Sequence, residues 1–253
     1  MLSVTKAAQF RSLHRTGSPL ILFNVWDAGS AQAVTKAGAG AIATGSWSIA
    51  AAHGFADGEK IPRDVALDTL RRIVASTDLP VTADLESGFG DDPHAVADTI
   101  RLSIEAGAIG CNLEDSYPSN GTLREVDAAA LRIQAARRAA DQAGPGYFIN
   151  ARCDVFFPKP AAQHGSSMVA EVIARARAYA EAGADGLFVP GAADLALIRD
   201  LARASPLPLN IMRLGSTPSI AELVDAGVAR ISHGPYPYML AMEALERAAR
   251  DFS

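Results

Sequence analysis

The sequence predicts an α/β chain whose eight parallel strands close into a barrel with helices outside, the (β/α)8 TIM-type architecture, as a single domain over residues 1–253. Three observations predict it. A helical run ending in Ala-Gly, then a small residue and a β-rich run, recurs as KAGAGAIAT (36–44), EAGAIGCNLED (105–115), EAGADGLFVP (181–190) and DAGVARISHG (225–234). Glycine there can take the left-handed cap that ends a helix and turns the chain into the next strand. Short apolar runs alternate with longer runs of 3.6-residue period, the pattern of βαβ units. A length of 253 residues suits eight such units.

Taken in order, the strands fall at Leu20–Asp27, Ala41–Ser46, Pro80–Glu86, Gly110–Asp115, Tyr147–Asp154, Gly186–Pro190, Pro208–Met212 and Ala229–His233. Ahead of them, Leu2, Phe10 and Leu13 among Lys6, Arg11 and Arg15 read as a short amphipathic surface helix. Between strands the clearest helical runs are Arg63–Thr77, Pro93–Gly107, Arg124–Gly144, Ser167–Gly183 and Asp194–Ser205, and Tyr236–Asp251 makes a final amphipathic helix. A doubly wound open sheet is the alternative. Its usual nucleotide signatures, G-x-G-x-x-G and G-x-x-x-x-G-K-[ST], are absent from the sequence.

Composition narrows the function. Lys plus Arg number 23 and Asp plus Glu 28, a formal charge of −5, with 49% hydrophobic residues. That is a globular composition without the basic footprint of a nucleic-acid or anionic-membrane binder. The longest uncharged stretch, Ala37 to Ala52, is too short and glycine-rich to span a bilayer. The first residues lack the apolar core of a secretory signal. Two cysteines, Cys111 and Cys153, make no disulfide framework, which suits a reducing cytoplasm.

Barrel chemistry sits at the C-terminal ends of the strands. Side chains alternate along a strand, so Asp84 and Glu86 should share one face at the end of the third strand. Asn112 and Glu114 should do so on the fourth, and Asn150, Arg152 and Asp154 on the fifth. Crowded carboxylates repel unless a cation holds them. Oxygen-only donors favour Mg²⁺ or Mn²⁺ over Zn²⁺, so Asp84, Glu86 and Glu114 are the candidate metal ligands. The bland alternative is helix N-caps and surface ion pairs. Arg152 would stabilise negative charge on a bound substrate, or else form a structural ion pair. Gly45 and Ser46 allow a close backbone approach, either a carboxylate cradle or a tight turn. A long loop then carries Asp57 within reach of the mouth as a lid, with 115–123 and 155–166 as other lid candidates. His14 and His94 look like surface helix positions, and His233, ending the eighth strand, has a modest claim on the site. Lysine occurs only at 6, 36, 60 and 159, none ending a strand, which argues against a Schiff-base aldolase.

At these residues the chain resembles the isocitrate lyase/phosphoenolpyruvate mutase superfamily. The likeness runs through NVWDAGSA (24–31), TGSWSIAAAHGFADGE (44–59), ADLESGFGD (83–91), NLED (112–115), NAR (150–152), LFVPGA (187–192) and ISHGPYPY (231–238). It implies a Mg²⁺-dependent barrel enzyme acting on 2-oxo or 2-hydroxy carboxylates through an enolate. In that likeness Asp84, Glu86 and Glu114 match the metal-site acids. Gly45, Ser46 and Trp47 match the segment that holds the substrate carboxylate, Asp57 the lid aspartate, Arg152 the substrate arginine and Asn210 a substrate-side asparagine. It also implies a homo-oligomer, dimer or tetramer, with a C-terminal helix, here Tyr236–Asp251, exchanged between subunits. The loop after the fourth strand, DSYPSNGTL, lacks the Lys-[Lys/Arg]-Cys-Gly-His of the isocitrate lyases and the Lys of the phosphonomutase Phe-Pro-Lys-x-Asn. The chain therefore looks most similar to the phosphoenolpyruvate mutase-like branch. Three functions follow as expectations: a lyase for an oxaloacetate- or methylmalate-like acid, a phosphonopyruvate mutase or hydrolase, and an inactive barrel that only binds 2-oxo acids.

Overall fold

The computed structural model describes residues 2–215 and 217–252. Eight parallel strands form one sheet: β1 (Leu20–Leu22), β2 (Ile42–Ala43), β3 (Val81–Asp84), β4 (Gly110–Glu114), β5 (Phe148–Arg152), β6 (Gly186–Val189), β7 (Leu209–Met212) and β8 (Arg230–Ser232). From β2 to β8 each strand pairs with the next in sequence, and β8 returns to pair with β1. The ring closes between β1 and β2 through one parallel bridge, Val25 to Thr44, with Val25 N–H donating to Ala43 O at 2.9 Å and Gly45 N–H to Val25 O at 3.0 Å. The chain is thus a (β/α)8 barrel rather than an open doubly wound sheet.

Helices α1 (Val4–Ser12), α2 (Ala28–Lys36), α3 (Ser46–Ala52), α4 (Arg63–Ala75), α5 (Pro93–Glu105), α6 (Val126–Ala143), α7 (Ser166–Glu181), α8 (Leu195–Ala204), α9 (Ile220–Asp225) and α10 (Tyr236–Asp251) surround it. The Ala-Gly repeats end helices as expected: Gly38, Gly107, Gly183 and Gly227 have φ of 89°, 98°, 101° and 86°. Capping boxes start two helices. Asp27 and Ser30 open α2, and Ser219 and Glu222 open α9, each satisfying two otherwise orphaned amides.

Several expected strands stop earlier than the alternation suggests, the first three for clear local reasons. The first strand stops at Leu22, because Asp27 is spent as the cap of α2. The second stops at Ala43, because Ser46 already begins α3. The third stops at Asp84, because Glu86 turns left-handed, φ 51°.

The floor of the barrel is closed by α1. Phe10 is fully buried and meets Phe148 edge-on, with ring centroids 5.5 Å apart. His14 is not a free surface group. It stacks on Phe148 at 4.2 Å and bonds Phe10 O through Nδ1 at 3.0 Å, and burial pushes its pKa down to about 3. Above it the bore is filled by amides. Asn150 Nδ2 donates to Asn112 Oδ1 at 2.9 Å and to Asn210 Oδ1 at 3.1 Å. The buried Arg230 donates through Nη2 to the same Asn112 oxygen at 3.2 Å. Among the described residues no helix is long and apolar enough to cross a membrane.

Candidate active site

The C-terminal ends of the strands gather acids around one arginine. Alternation puts Asp84 of β3, Asn112 and Glu114 of β4, and Arg152 of β5 at the mouth of the bore, where they line adjoining lobes of one cleft. Ser46, Asp57, Arg152 and Phe157 border both lobes, of about 240 and 330 Å³.

Arg152 is held from two sides, by Glu114 Oε2 at 2.8 Å and Asp154 Oδ1 at 2.6 Å. Burial disfavours its charge, but the two carboxylates more than offset this and its pKa is raised. Asp154 is buried and also accepts from Ser116 Oγ at 2.6 Å. Asp84 Oδ2 accepts from the Ser46 amide at 3.1 Å and from Ser46 Oγ at 2.8 Å. The start of α3 therefore faces a carboxylate of the chain itself. Gly45 N–H is spent on Val25, so the Trp47 amide is the one of these three without a protein acceptor among the described residues.

The carboxylates are unequal in charge to what surrounds them. Burial pushes Glu86 up to about 8, and the nearby Asp84, Asp57 and Glu59 charges add to the effect. Burial likewise lifts Glu114 to about 8 against the pull of Arg152. Asp57 is raised too, first by loss of solvent and then by Asp84. Asp57, Asp84, Glu86, Glu114 and Asp154 thus share a single guanidinium.

This donor set is all oxygen and partly buried, and it suits a hard divalent cation. It is not a three-carboxylate cage. Among the described residues no three Asp, Glu, His or Cys side chains are grouped at ligating positions. Asp84 faces Ser46, Glu86 Oε2 accepts the Glu59 amide at 2.6 Å, and Glu114 faces Arg152. What the residues fit is an ion held by one or two of these carboxylates through its own waters, the usual habit of Mg²⁺.

The loop between α3 and α4 lies over the cleft. Glu59 Oε1 accepts from Ser87 N at 3.1 Å, Ser87 Oγ at 2.7 Å and Phe89 N at 2.8 Å. Glu59, Glu86 and Phe89 all sit at positive φ, 58°, 51° and 56°, a strained conformation for residues with a Cβ. Gly58 passes close to Pro118, so a Cβ there would meet Pro118 O at 3.1 Å. The loop 115–123, closed by the Ser116–Leu123 bridge, is pinned by Arg124, which stacks on Tyr117 at 3.9 Å.

Two expected site residues lie off the cleft. Asn210 is buried in the amide ladder of the bore, donating to Ser232 Oγ at 3.2 Å. His233 bonds Leu22 O through Nδ1 at 3.0 Å, and its ring packs on Phe23. In its place Asn24 reaches the cleft, its Oδ1 accepting from His233 N and Gly234 N at 3.0 Å each while Nδ2 donates to Thr44 O. The sequence signal for Asn24 was its position two residues past β1. Phe188, Met212 and Leu214 also border the cleft, and nothing in an apolar strand end separates them from ordinary core.

A closed α/β barrel that gathers acids around one arginine at the C-terminal ends of its strands places its cleft where barrel enzymes do their chemistry. The family model for phosphoenolpyruvate phosphomutase matches residues 10–253, and the chain belongs to that family, within the phosphoenolpyruvate mutase/isocitrate lyase superfamily. A structure from Burkholderia cenocepacia J2315, provisionally assigned as a phosphonomutase, superposes with a TM-score of 0.96 at 62% identity over 98% of this chain and 99% of its own. A Mycobacterium tuberculosis protein with no assigned activity is 36% identical over 244 residues, 96% of this chain and 88% of its own. The 2-methylisocitrate lyase of Escherichia coli is 32% identical over 252 residues, 95% and 80%. The chain's relatives are lyases and mutases.

Proposed function

We propose that this chain is a Mg²⁺-dependent carbon–carbon lyase, with Mn²⁺ an acceptable substitute, that cleaves a small 2-oxo or 2-hydroxy dicarboxylate through an enolate. The observation that carries it is the ratio of five carboxylates to one arginine at the barrel mouth. One or two of Asp84, Glu86 and Glu114 would hold the ion, with its own waters completing the shell. When bound it supplies Lewis-acid polarisation of the substrate's 2-oxygen and neutralises the acids around it.

The chain's own groups do the rest. The Trp47 amide orients a substrate carboxylate, while Ser46 holds Asp84 beside it through its amide and hydroxyl. For a 2-hydroxy acid, the hydroxyl proton leaves and the C2–C3 bond breaks. Its electron pair passes into the enolate of the departing acid, and a proton is delivered to C3. Arg152 stabilises the negative charge that develops there. Asp57 relays the protons: it borders both lobes, and its raised pKa keeps a protonated fraction nearer neutral pH. The docked loop 54–61 excludes water that would quench the enolate.

The direct test is release of a 2-oxo acid from oxaloacetate and branched malates, with and without EDTA. Activity indifferent to EDTA would remove the metal from the reading. The 62% identical structure favours a second reading, a mutase or hydrolase of a phosphonate. An unchanged ³¹P NMR spectrum of phosphonopyruvate with enzyme and Mg²⁺ would eliminate it. A barrel that binds 2-oxo acids without turning them over is the third, and turnover of any of these acids disposes of it.

We also infer a homo-oligomer in the cytoplasm. Met239, Leu240, Met242 and Leu245 of α10 are exposed, and covering them suits a second subunit. Both cysteines are free and buried. Sedimentation as a monomer at micromolar concentration would refute the oligomer.

A further inference from the structure

The loop 54–61 and the turn 85–90 meet in a reciprocal clamp. Glu59 Oε1 accepts from Ser87 N, Ser87 Oγ and Phe89 N at 3.1, 2.7 and 2.8 Å, and the Glu59 amide donates to Glu86 Oε2 at 2.6 Å. Among the described residues, Glu59, Glu86 and Phe89 are also the only non-glycine residues at positive φ. Such a backbone persists where its surroundings over-determine it, and here all three fall at one contact.

The two sides of the clamp are anchored differently. The turn is fixed by the barrel. It closes on itself through Gly88 N–H to Leu85 O at 2.8 Å. Arg132 of α6 donates to the carbonyls of Ser87 and Asp91, and Thr99 of α5 donates through Oγ1 to Gly88 O at 2.9 Å. The carbonyl edge of the turn is thus held by outer helices, and its amide edge by the loop. Among the described residues, every hydrogen bond between loop and turn runs through Glu59. Asp57 and Glu86 border the smaller lobe of the cleft, whereas Glu59 lines neither lobe. Its carboxylate therefore acts on the cleft through those two acids.

We propose that Glu59 is a positioning residue: by docking the loop on the turn it holds Asp57 over the cleft and fixes the direction of the Glu86 carboxylate, so that loop and ion site tighten together. The inference deepens the lyase reading and rests on it for the roles of Asp57 and Glu86. A ligand that grips these acids favours the docked loop, and by reciprocity the docked loop raises the affinity for that ligand.

Hydrogen–deuterium exchange and calorimetry on the whole protein test this without turnover. The probe is oxalate with Mg²⁺, a compact dianion able to chelate the ion. In the wild type it should slow exchange at Glu59, Ser87 and Phe89. Glu59→Ala should speed exchange at Ser87 and Phe89 about tenfold and weaken oxalate binding by a similar factor, since hydrogen bonds to a charged acceptor are lost. Exchange in the β4–β5 ladder should stay as it is. Glu59→Gln keeps an acceptor oxygen for the same donors and should restore both properties to within about threefold of the wild type. Wild-type exchange and oxalate affinity in Glu59→Ala overturn the proposal. So does acceleration spread evenly through the β4–β5 ladder, which would make Glu59 a general support of the fold. Gln no better than Ala also counts against it, because the acceptor geometry would then not matter. Failure of the wild type to bind oxalate with Mg²⁺ strikes the metal-centred reading, while the docking is still decided by exchange at Ser87 and Phe89.

Discussion

The floor and the mouth of this barrel both bury polar groups, yet they balance them in opposite ways. At the floor, neutral amides of Asn112, Asn150 and Asn210 satisfy one another, and the one charge beside them, Arg230, has an amide oxygen for a partner. At the mouth, five carboxylates share Arg152. The floor pairs its amides among themselves and leaves only the Arg230 Nε and Nη1 groups beside them unpaired. The mouth has a surplus of carboxyl groups, two of them pushed up to about 8, that a cation would complete. A buried polar group therefore signals function through what its neighbours fail to offset, more than through burial itself.

The largest effect that could break this contrast is expected at Arg152. Arg152→Met should lower kcat by about 10²–10³-fold. It should also destabilise the fold by about 3–5 kcal/mol, because Glu114 and Asp154 are left buried without their cation. Urea melts and steady-state assays read the two losses separately, and a variant as stable as the wild type would deny the surplus.

Metal comes next. Mg²⁺ at a hundredfold excess over its Kd should raise stability by about 2.7 kcal/mol, seen as a higher Tm that EDTA abolishes. Glu114→Gln should reduce that increment, whereas a floor substitution, Asn150→Asp excepted, should not.

A smaller effect belongs to the floor. His14 has its folded pKa depressed to about 3 by burial, with the Arg230 charge as the second cause. The unfolded chain takes a proton near pH 6.5 and the folded chain does not, so stability is full above that pH. It falls by about 1.4 kcal/mol per pH unit as the pH drops from 6.5 toward 3. His14→Phe, keeping the stack on Phe148, should flatten that slope between pH 6.5 and 5 in urea titrations.

The smallest change is expected from Arg230→Met. Replacing a buried cation that lacks a carboxylate partner by an apolar chain should leave stability unchanged or raised. Relief of its charge should move the His14 pKa upward, as followed by NMR. A large loss of stability would mean that the floor is as charge-dependent as the mouth.

Much of this architecture is legible in the sequence because it follows from local rules. The Ala-Gly repeats mark helix ends, and alternation alone puts Glu114 toward the bore and Asp115 outward, where it accepts from Tyr179 at 2.6 Å. Glu86 reaches the cleft by another route. It lies beyond the strand at positive φ, where a two-residue period no longer applies. Asn210 lies inside β7 and His233 just past β8, and neighbouring protein groups, the Ser232 hydroxyl for one and the Leu22 carbonyl for the other, take up their polar atoms. The apolar border of the cleft is illegible for a different reason: Phe188 and Met212 have the same chemistry whether they face a helix or a cavity. Likewise the pairing of Glu59 with Ser87 joins loops 28 residues apart, and no spacing rule announces it.

The seam between β1 and β2 has a consequence for how the barrel breathes. Every other pair of neighbouring staves shares a register of two or more residues, while this one is fastened by Val25, Thr44 and the Asn24 side chain. Deuterium should therefore enter at Val25 and Gly45 sooner than in the long β4–β5 ladder. The residues that follow the seam, Ser46 and Trp47, face the cleft, so a molecule gripping them would also lock the ring shut.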